Sequence, residues 1–394
     1  MTGVQTCALP ISGDERLAAT AIAASDRGLV LQERILEVVR KGQDVLLPDL
    51  SLADVEGRFA LLYALQQAGR EIAENPVRAL AFAQAVLQRL RREATPQGGR
   101  VAPAEQVVPR HLLWAQSHLL TALACMWTKD FTRAQWSLLV AYRSFARGAG
   151  DETSLAVVEL TEAQRRAFVH EGASSLILAR RAGATFKAQG MEDLAARAWM
   201  AEGLAYSELG REEDAVQAFR RALPIFEQYE LWSNYVGALN SIATSLTTLG
   251  RVDEARREYA RALRRFSQER HRYWLGYIRT GLAETLFAAG RFSEAAISSA
   301  RAAQVFRNCG LRANALIASL LEIEGWARHG SLERARHRLS LFWDEIQRDR
   351  TIDPAVARDI AAALSGTNPD FERLAMLRQQ AEALLQSSSD AKHA

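Results

Sequence analysis

The amino-acid sequence predicts an all-α solenoid of antiparallel helix hairpins, and three periodic observations support that prediction. Four glycines recur at intervals of 40 residues, namely Gly210, Gly250, Gly290 and Gly330. Each is followed five residues later by an alanine, namely Ala215, Ala255, Ala295 and Ala335. Sixteen residues after each glycine comes a bulky apolar residue, namely Phe226, Phe266, Phe306 and Ile346. A fixed period of about 20 to 50 residues indicates a stacked repeat array rather than one compact core.

The segment before the regular units is predicted to contain helices and a linker. Residues 1–11 resemble a translated sequencing adapter, so we interpret them as a non-native segment. Residues 12–93 carry apolar stripes at helical spacing, which predict N-terminal helices and allow a degenerate hairpin among them. Residues 94–110 are rich in proline and glycine, so we expect a linker there.

Each regular unit is predicted to be a pair of helices joined at the glycine. After Gly210, residues Ala215, Phe219, Ala222 and Phe226 are spaced by four, three and four, which places them on one helical stripe. Glycine suits the position just past a helix end, where the backbone often enters the left-handed region. Alanine one turn later allows two helix axes to approach closely, because a larger side chain would overpack the contact.

A family resemblance follows from the unit around Gly210. The order and spacing of seven residues resemble the tetratricopeptide repeat, and these are Trp199, Gly203, Tyr206, Gly210, Ala215, Phe219 and Ala222. The resemblance extends over residues 111–346, with fewer matches in the other units, and implies a right-handed superhelical array. The family's usual unit has about 34 residues. A period of 40 therefore implies about six extra residues per unit, which we expect to lengthen the helices.

The C-terminal part of the chain is predicted to close the array. A repeat array needs terminal elements that cover its last apolar face. Residues 347–386 contain two apolar-patterned segments, which we interpret as capping helices. Residues 387–394 are polar and small, so we expect a disordered tail.

Charge and hydropathy indicate what the chain does not bind. The 49 basic and 46 acidic residues nearly cancel and are interspersed along the predicted helices, so we expect no nucleic-acid partner. The most apolar segment, residues 112–127, is interrupted by polar side chains and is too short to span a bilayer. The N-terminal residues lack the pattern of a secretory signal. We therefore expect a cytoplasmic protein without membrane insertion.

The sequence offers no set of residues with the spacing of a catalytic or metal site. Cys125 and Cys309 have no histidine at ligand spacing, and they are interpreted as buried thiols in a reducing compartment. His111 and His118 lie seven apart, hence on one predicted helix face, and are interpreted as packing residues. Phosphate-loop, dinucleotide, zinc-protease and nucleophile-elbow motifs are missing from the sequence. We therefore predict no cofactor, no transition metal and no enzymatic activity.

Two classes of function remain open. The first is a non-catalytic scaffold that binds a peptide or protein partner in the groove of the array. The second is the sensory or regulatory arm of a larger bacterial signalling or transcription-regulating protein, whose output domain is missing from this chain. The uninterrupted gene would discriminate between them, and the sequence does not predict an oligomeric state.

The family resemblance also implies where a partner would bind. In tetratricopeptide proteins the first helix of each hairpin lines the concave face, at fixed offsets before the turn glycine. Those offsets select a mixed polar and apolar set, which comprises Arg197, Met200, Ser207, Asn240, Thr244, Thr247, Tyr277, Thr280, Glu284 and Phe287. Such a set predicts a partner segment with both polar and apolar side chains. The alternative is that the threonines merely cover a solvated inner face.

Overall fold

All regular secondary structure in the described part of the chain is helical, which confirms the all-α prediction. The computed structural model describes residues 55–70, 76–92, 109–147, 152–266, 272–349, 354–365 and 369–380. The adapter-like residues 1–11, nearly all of the predicted linker and the predicted tail lie outside these ranges. The chain divides into two compact units with the boundary between Asn234 and Tyr235. Each unit is described by itself.

The first unit consists of eight described helices, and helices that are consecutive in the chain pack against each other. They are α1 (Val55–Arg70), α2 (Pro76–Arg92), α3 (Arg110–Trp127), α4 (Phe131–Arg147), α5 (Glu152–Phe168), α6 (Gly172–Ala188), α7 (Glu192–Glu208) and α8 (Glu212–Gln228). Neighbouring helices pack against each other throughout this run, and α5 also contacts α7. One core of buried leucine, alanine and phenylalanine side chains extends from Leu61 to Ala201.

The second unit continues the same pattern. Its helices are α9 (Trp232–Thr248), which begins just before the boundary, α10 (Val252–Arg265), α11 (Arg272–Ala288), α12 (Phe292–Asn308), α13 (Arg312–Arg328), α14 (Leu332–Asp349), α15 (Pro354–Ala363) and α16 (371–380). The last two lie in the region predicted to cap the array. Leu364, Leu374 and Leu377 from this region join the core that α13 and α14 contribute.

The turns follow a 20-residue period, which is half the period visible in the sequence. A residue with positive φ lies at the centre of each described turn from α5 to α14, namely His170, Gly190, Gly210, Glu230, Gly250, Gly290, Gly310 and Gly330. At Gly210 the turn is closed by two backbone hydrogen bonds, from Arg211 N to Tyr206 O and from Gly210 N to Ser207 O, both 2.9 Å long. This is the Schellman arrangement, which satisfies carbonyls at the helix end.

Helix length explains the long repeat. The helices from α5 to α9 have 17 residues each, and three-residue turns separate them. Two helices and two turns therefore take 40 residues, so the extra residues lie in longer helices, as expected. The alanines predicted to permit close helix approach, Ala215, Ala255, Ala295 and Ala335, are all fully buried.

One helix contact is closer than alanine allows. Gly203 on α7 faces the ring of Phe219 on α8, and a Cβ added at Gly203 would lie 2.3 Å from Cε1 of that ring. Phe219 itself is 1% exposed. Gly203 and Phe219 are two of the residues that resemble the tetratricopeptide pattern. The structure shows that they are in contact, and that the Phe219 ring fills the space that a side chain at position 203 would take.

Candidate partner-binding face

The predicted binding positions on α7 are largely covered. Arg197 and Met200 are 3% and 2% exposed, respectively, because α7 packs against α5, α6 and α8. Ser207 is half-buried, and its hydroxyl donates a 3.1 Å hydrogen bond to Oε2 of Glu212. Arg197 and Met200 therefore offer almost no surface to a partner, because a helix with three neighbours keeps few faces open.

The predicted positions in the second unit form a partly open strip, which we call the stripe. It comprises Asn240, Thr244 and Thr247 on α9, together with Tyr277, Thr280, Glu284 and Phe287 on α11. Thr244 and Glu284 are exposed, and the other five are half-buried. Thr244 and Glu284 are 40 residues apart and therefore occupy the same register in successive hairpins.

Asn240 is engaged inside the helix packing. Its Oδ1 accepts a 2.8 Å hydrogen bond from the phenol of Tyr259 on α10. A Cβ added at Gly281 on α11 would lie 2.3 Å from the same oxygen. The amide oxygen thus lies between two neighbouring helices and is already used as an acceptor. Asn240 contributes to the cohesion of the unit, and its oxygen is not freely presented to a peptide backbone.

The threonine hydroxyls of the stripe donate to their own helices. Thr244 Oγ1 donates to Asn240 O at 3.0 Å, Thr247 Oγ1 to Ala243 O at 2.7 Å, and Thr280 Oγ1 to Gly276 O at 3.0 Å. Each hydroxyl oxygen keeps lone pairs after this donation. The threonines of the stripe can therefore accept hydrogen bonds from a partner.

Two aromatic residues of the stripe are supported by rings from the following helix. Tyr277 packs edge-on against Phe306 with ring centroids 5.1 Å apart, and Phe287 packs edge-on against Phe292 at 5.2 Å. Such contacts add about 0.5–1.5 kcal/mol beyond the area that they bury. The rings are therefore held in place before any partner arrives.

An ion-pair cluster beside the stripe was not predicted from the sequence. Glu324 on α13 is 40 residues after Glu284 and is 2% exposed. Its Oε1 is 2.8 Å from Nε of Arg328, and its Oε2 is 2.7 Å from Nε of Arg378 on α16. Both guanidinium groups also lie over the ring of Phe287, at 5.4 and 5.9 Å from its centroid. Thr244, Glu284 and Glu324 occupy equivalent positions in three successive hairpins. At the third of these positions, Glu324 binds α16 of the same chain through Arg378.

The 40-residue register could have identified Glu324, since the same offset selected Thr244 and Glu284. Its partner Arg378 lies 54 residues further along the chain, in a helix outside the repeat pattern. Only the folded chain brings the two together.

The described residues also bear on metal binding and on membrane crossing. They contain no group of three or more histidine, cysteine, aspartate or glutamate side chains placed to hold a metal ion. No described helix is both long and apolar enough to cross a bilayer. His111 is exposed whereas His118 is buried, because His111 lies in the first turn of α3 and His118 lies deeper, between Trp114 and Trp136.

The geometry defines a helical-repeat protein, and comparison with known families identifies the repeat. Residues 196–228 and 235–308 each match a family model described as the tetratricopeptide repeat. These two segments are tetratricopeptide repeats. This architecture is that of a protein-interaction scaffold. No protein of curated function matches the chain in sequence.

Several solved structures are similar to the chain at low sequence identity. Aspartyl phosphate phosphatase F from Bacillus subtilis is 13% identical, with a TM-score of 0.50 over 93% of this chain and 96% of that one. A Rap protein complexed with competence and sporulation factor is 13% identical, with a TM-score of 0.47 over 94% and 99%. A signal transduction ATPase with a tetratricopeptide sensor, from Pyrococcus horikoshii, is 13% identical, with a TM-score of 0.49 over 83% and 52%. At such identity the likeness to the phosphatase concerns the fold alone.

Proposed function

We propose that the chain is a non-catalytic interaction scaffold that binds a peptide or protein segment along the stripe, in the concave groove expected of a tetratricopeptide array. The observation that carries the proposal is the contact between Glu324 and Arg378. The third position of the register formed by Thr244, Glu284 and Glu324 already holds a helix of the same chain. The first two positions are exposed.

The internal contact also suggests the chemistry of the partner. Arg378 places its guanidinium group against the carboxylate of Glu324 and over the ring of Phe287. One hairpin earlier, Glu284 supplies an exposed carboxylate, and the aromatic ring of Tyr277 lies on the same helix. A partner segment that brings a basic side chain to Glu284 and an apolar side chain to Tyr277 would repeat the arrangement. Charge complementarity of this kind contributes to specificity and to the association rate.

Site-specific photo-crosslinking in the source cells tests the location. A photo-reactive residue in place of Thr244 is expected to capture a defined partner, whereas the same residue in place of Arg257, exposed on the second helix α10, is not. Glu284→Arg should abolish the Thr244 adduct, because it reverses the charge that attracts the partner. An adduct that is unaffected by Glu284→Arg, or that forms equally from position 257, would place binding elsewhere.

The non-catalytic part of the proposal has its own test. Because one structure of similar fold is a phosphatase, the purified chain is assayed for release of phosphate from aspartyl phosphate and from phosphorylated proteins. We expect no turnover above buffer. Turnover that a single point substitution removes would contradict the proposal.

A regulatory arm is the second candidate, and the position of α16 favours it. A ligand that competes for Glu324 would displace Arg378 and release α16 from the end of the stripe. Hydrogen exchange of residues 371–380 distinguishes the two functions. Faster exchange when the partner is bound would support a regulatory arm, whereas unchanged exchange would support a passive scaffold.

A further inference from the structure

The first unit contains a cavity that is separate from the stripe. Its volume is about 300 Å³, and it is bounded by α2, α3 and α4. Its described lining combines a buried floor with an exposed rim. The floor is Leu87, His118, Thr121 and Ser137, and the rim is Gln84, Gln88, Arg91, Arg133 and Trp136.

The floor holds polar atoms that have no hydrogen-bond partner among the described residues. His118 is 1% exposed, and neither ring nitrogen has a partner. Ser137 is fully buried, and its hydroxyl also lacks a partner. A buried polar group without a hydrogen bond is costly, so such groups in a natural protein call for an explanation. Here both residues line a cavity that a ligand can enter.

The rim carries positive charge. Arg91 and Arg133 line the cavity from α2 and α4, and none of the described lining residues is acidic. Neither guanidinium group is ion-paired within the described ranges. The guanidinium of Arg91 lies 5.6 Å from the ring centroid of Trp114, and the carboxylate of Asp130 accepts the backbone N–H of Arg133. Two guanidinium groups that line one cavity suit an anion, because guanidinium presents paired donors to carboxylate and phosphate oxygens.

His118 remains a neutral hydrogen-bonding group. Burial, and secondarily the charge of Arg91, lower the pKa of His118 to about 4. At neutral pH the imidazole therefore supplies one donor and one acceptor to the cavity. It adds no positive charge, so the anionic part of a ligand would be recognised by the two arginines.

An exposed indole forms one wall. Trp136 is 56% exposed, and its ring lies edge-on to His118 with centroids 5.4 Å apart. A large aromatic side chain that lines a cavity and is still exposed offers a flat apolar surface to a ring. The volume lies at the lower end of the range for small-molecule sites, about 300–1,000 Å³.

We propose that this cavity binds a small planar organic anion, with its carboxylate or phosphate group between Arg91 and Arg133 and its ring against Trp136. A polar atom on the ring edge would pair with His118 or Ser137 at the floor. The site is independent of the stripe, since it uses different helices and a different unit.

Calorimetric titration of the full chain with three probes tests the proposal. The probes are indole-3-acetate, phenyl phosphate and the uncharged indole-3-acetamide. We expect at least one anion to bind with Kd below about 1 mM and at least about tenfold more tightly than the amide. Failure of both anions to bind, or equal binding of the amide, would overturn the proposal.

Matched variants on α4 locate the binding. Arg133→Gln is expected to weaken the anion at least about tenfold, whereas Arg143→Gln, an exposed arginine of the same helix outside the cavity, should leave Kd unchanged. Trp136→Ala should also weaken binding, and since its side chain is exposed it should leave the circular dichroism spectrum unchanged. Equal effects of the two arginine substitutions would show nonspecific attraction and overturn the assignment.

Discussion

The phenol of Tyr259 donates a 2.8 Å hydrogen bond to Oδ1 of Asn240, which ties α10 to α9 through two side chains. Tyr259 is 1% exposed, and burial raises the pKa of its phenol. The phenol is therefore protonated at neutral pH and can act as the donor. Asn240 thus acts in folding, although its place in the repeat register also puts it among the partner-binding positions.

Asn240→Ala is expected to lower the free energy of unfolding by about 1–3 kcal/mol, because it removes the acceptor that the buried hydroxyl of Tyr259 uses. Thr244 lies one helical turn after Asn240 and is exposed. Thr244→Ala should therefore change the free energy of unfolding by less than about 0.5 kcal/mol. In a Tyr259→Phe background the cost of Asn240→Ala should shrink, since the hydroxyl that donates to Asn240 is gone. Urea denaturation measures all four variants. Equal stability of Asn240→Ala and Thr244→Ala would refute the role of the bond.

Gly203→Ala is expected to destabilise the chain by at least about 1 kcal/mol. Alanine is intrinsically the better helix former, but its Cβ would overlap the Phe219 ring, and overpacking costs about 1–3 kcal/mol. Phe219→Leu removes the ring atoms that clash, so Gly203→Ala should cost less in that background. Thermal and urea unfolding of the double-mutant cycle provide the test, and strictly additive effects would count against the contact.

Glu230→Gly is expected to stabilise the chain by about 0.5–1 kcal/mol. Glu230 has φ of 52°, a conformation in which a side chain costs about 1–2 kcal/mol, and its side chain is exposed. Glycine removes that conformational cost. It also raises the conformational entropy of the unfolded chain, which cancels part of the gain in the free energy of unfolding. The converse change Gly250→Ala, at φ of 74°, should destabilise. The urea midpoints of the two variants should therefore move in opposite directions.

Stability is expected to fall between pH 7 and pH 5 because of His118. Its pKa is lowered by burial, and secondarily by Arg91, to about 4 in the folded chain, compared with 6.5 for an ordinary histidine. Between these values the unfolded chain binds the additional proton, so stability is complete above pH 6.5 and is lost as the pH falls towards 4. The loss from this group by pH 5 should be about 2 kcal/mol.

His118→Gln provides the reference for that titration, because glutamine keeps a donor and an acceptor and does not ionise. Urea denaturation of both proteins at pH 7 and pH 5 gives the difference. The wild-type chain should lose about 2 kcal/mol more than the variant. The same loss in both proteins would show that other groups cause the pH dependence.

The fold was predictable from local signals that recur. The four glycines spaced by 40 residues, namely Gly210, Gly250, Gly290 and Gly330, mark helix ends because their backbone enters the left-handed region, and the structure confirms this at each of them. The 20-residue period was missed because the intervening turns are less uniform. Of the intervening centres Gly190, Glu230 and Gly310, Glu230 adopts positive φ without being glycine, and His170 does the same in the register of Gly210. The left-handed turn conformation is therefore harder to recognise in the sequence where its central residue is not glycine.

The candidate sites were less predictable because they depend on tertiary neighbours. Register alone selected Arg197 and Met200, which are buried by three packed helices, and also Glu284, which is exposed. The position of a residue in the repeat predicts which face of its helix the side chain lies on. It does not predict which neighbouring helix covers that face. The cavity around His118 combines side chains from three helices, with no spacing that links them in sequence.

The helix length of 17 residues that α5 to α9 share has a consequence for how such a chain can change in evolution. Because each hairpin starts and ends at the same point of its turn, an in-frame duplication or loss of one whole hairpin rejoins the coding sequence without shifting the apolar stripes. Packing mainly between neighbouring hairpins confines most of the disturbance to the junction. Related genes can therefore differ by whole multiples of 40 codons while the rest of the protein keeps its contacts.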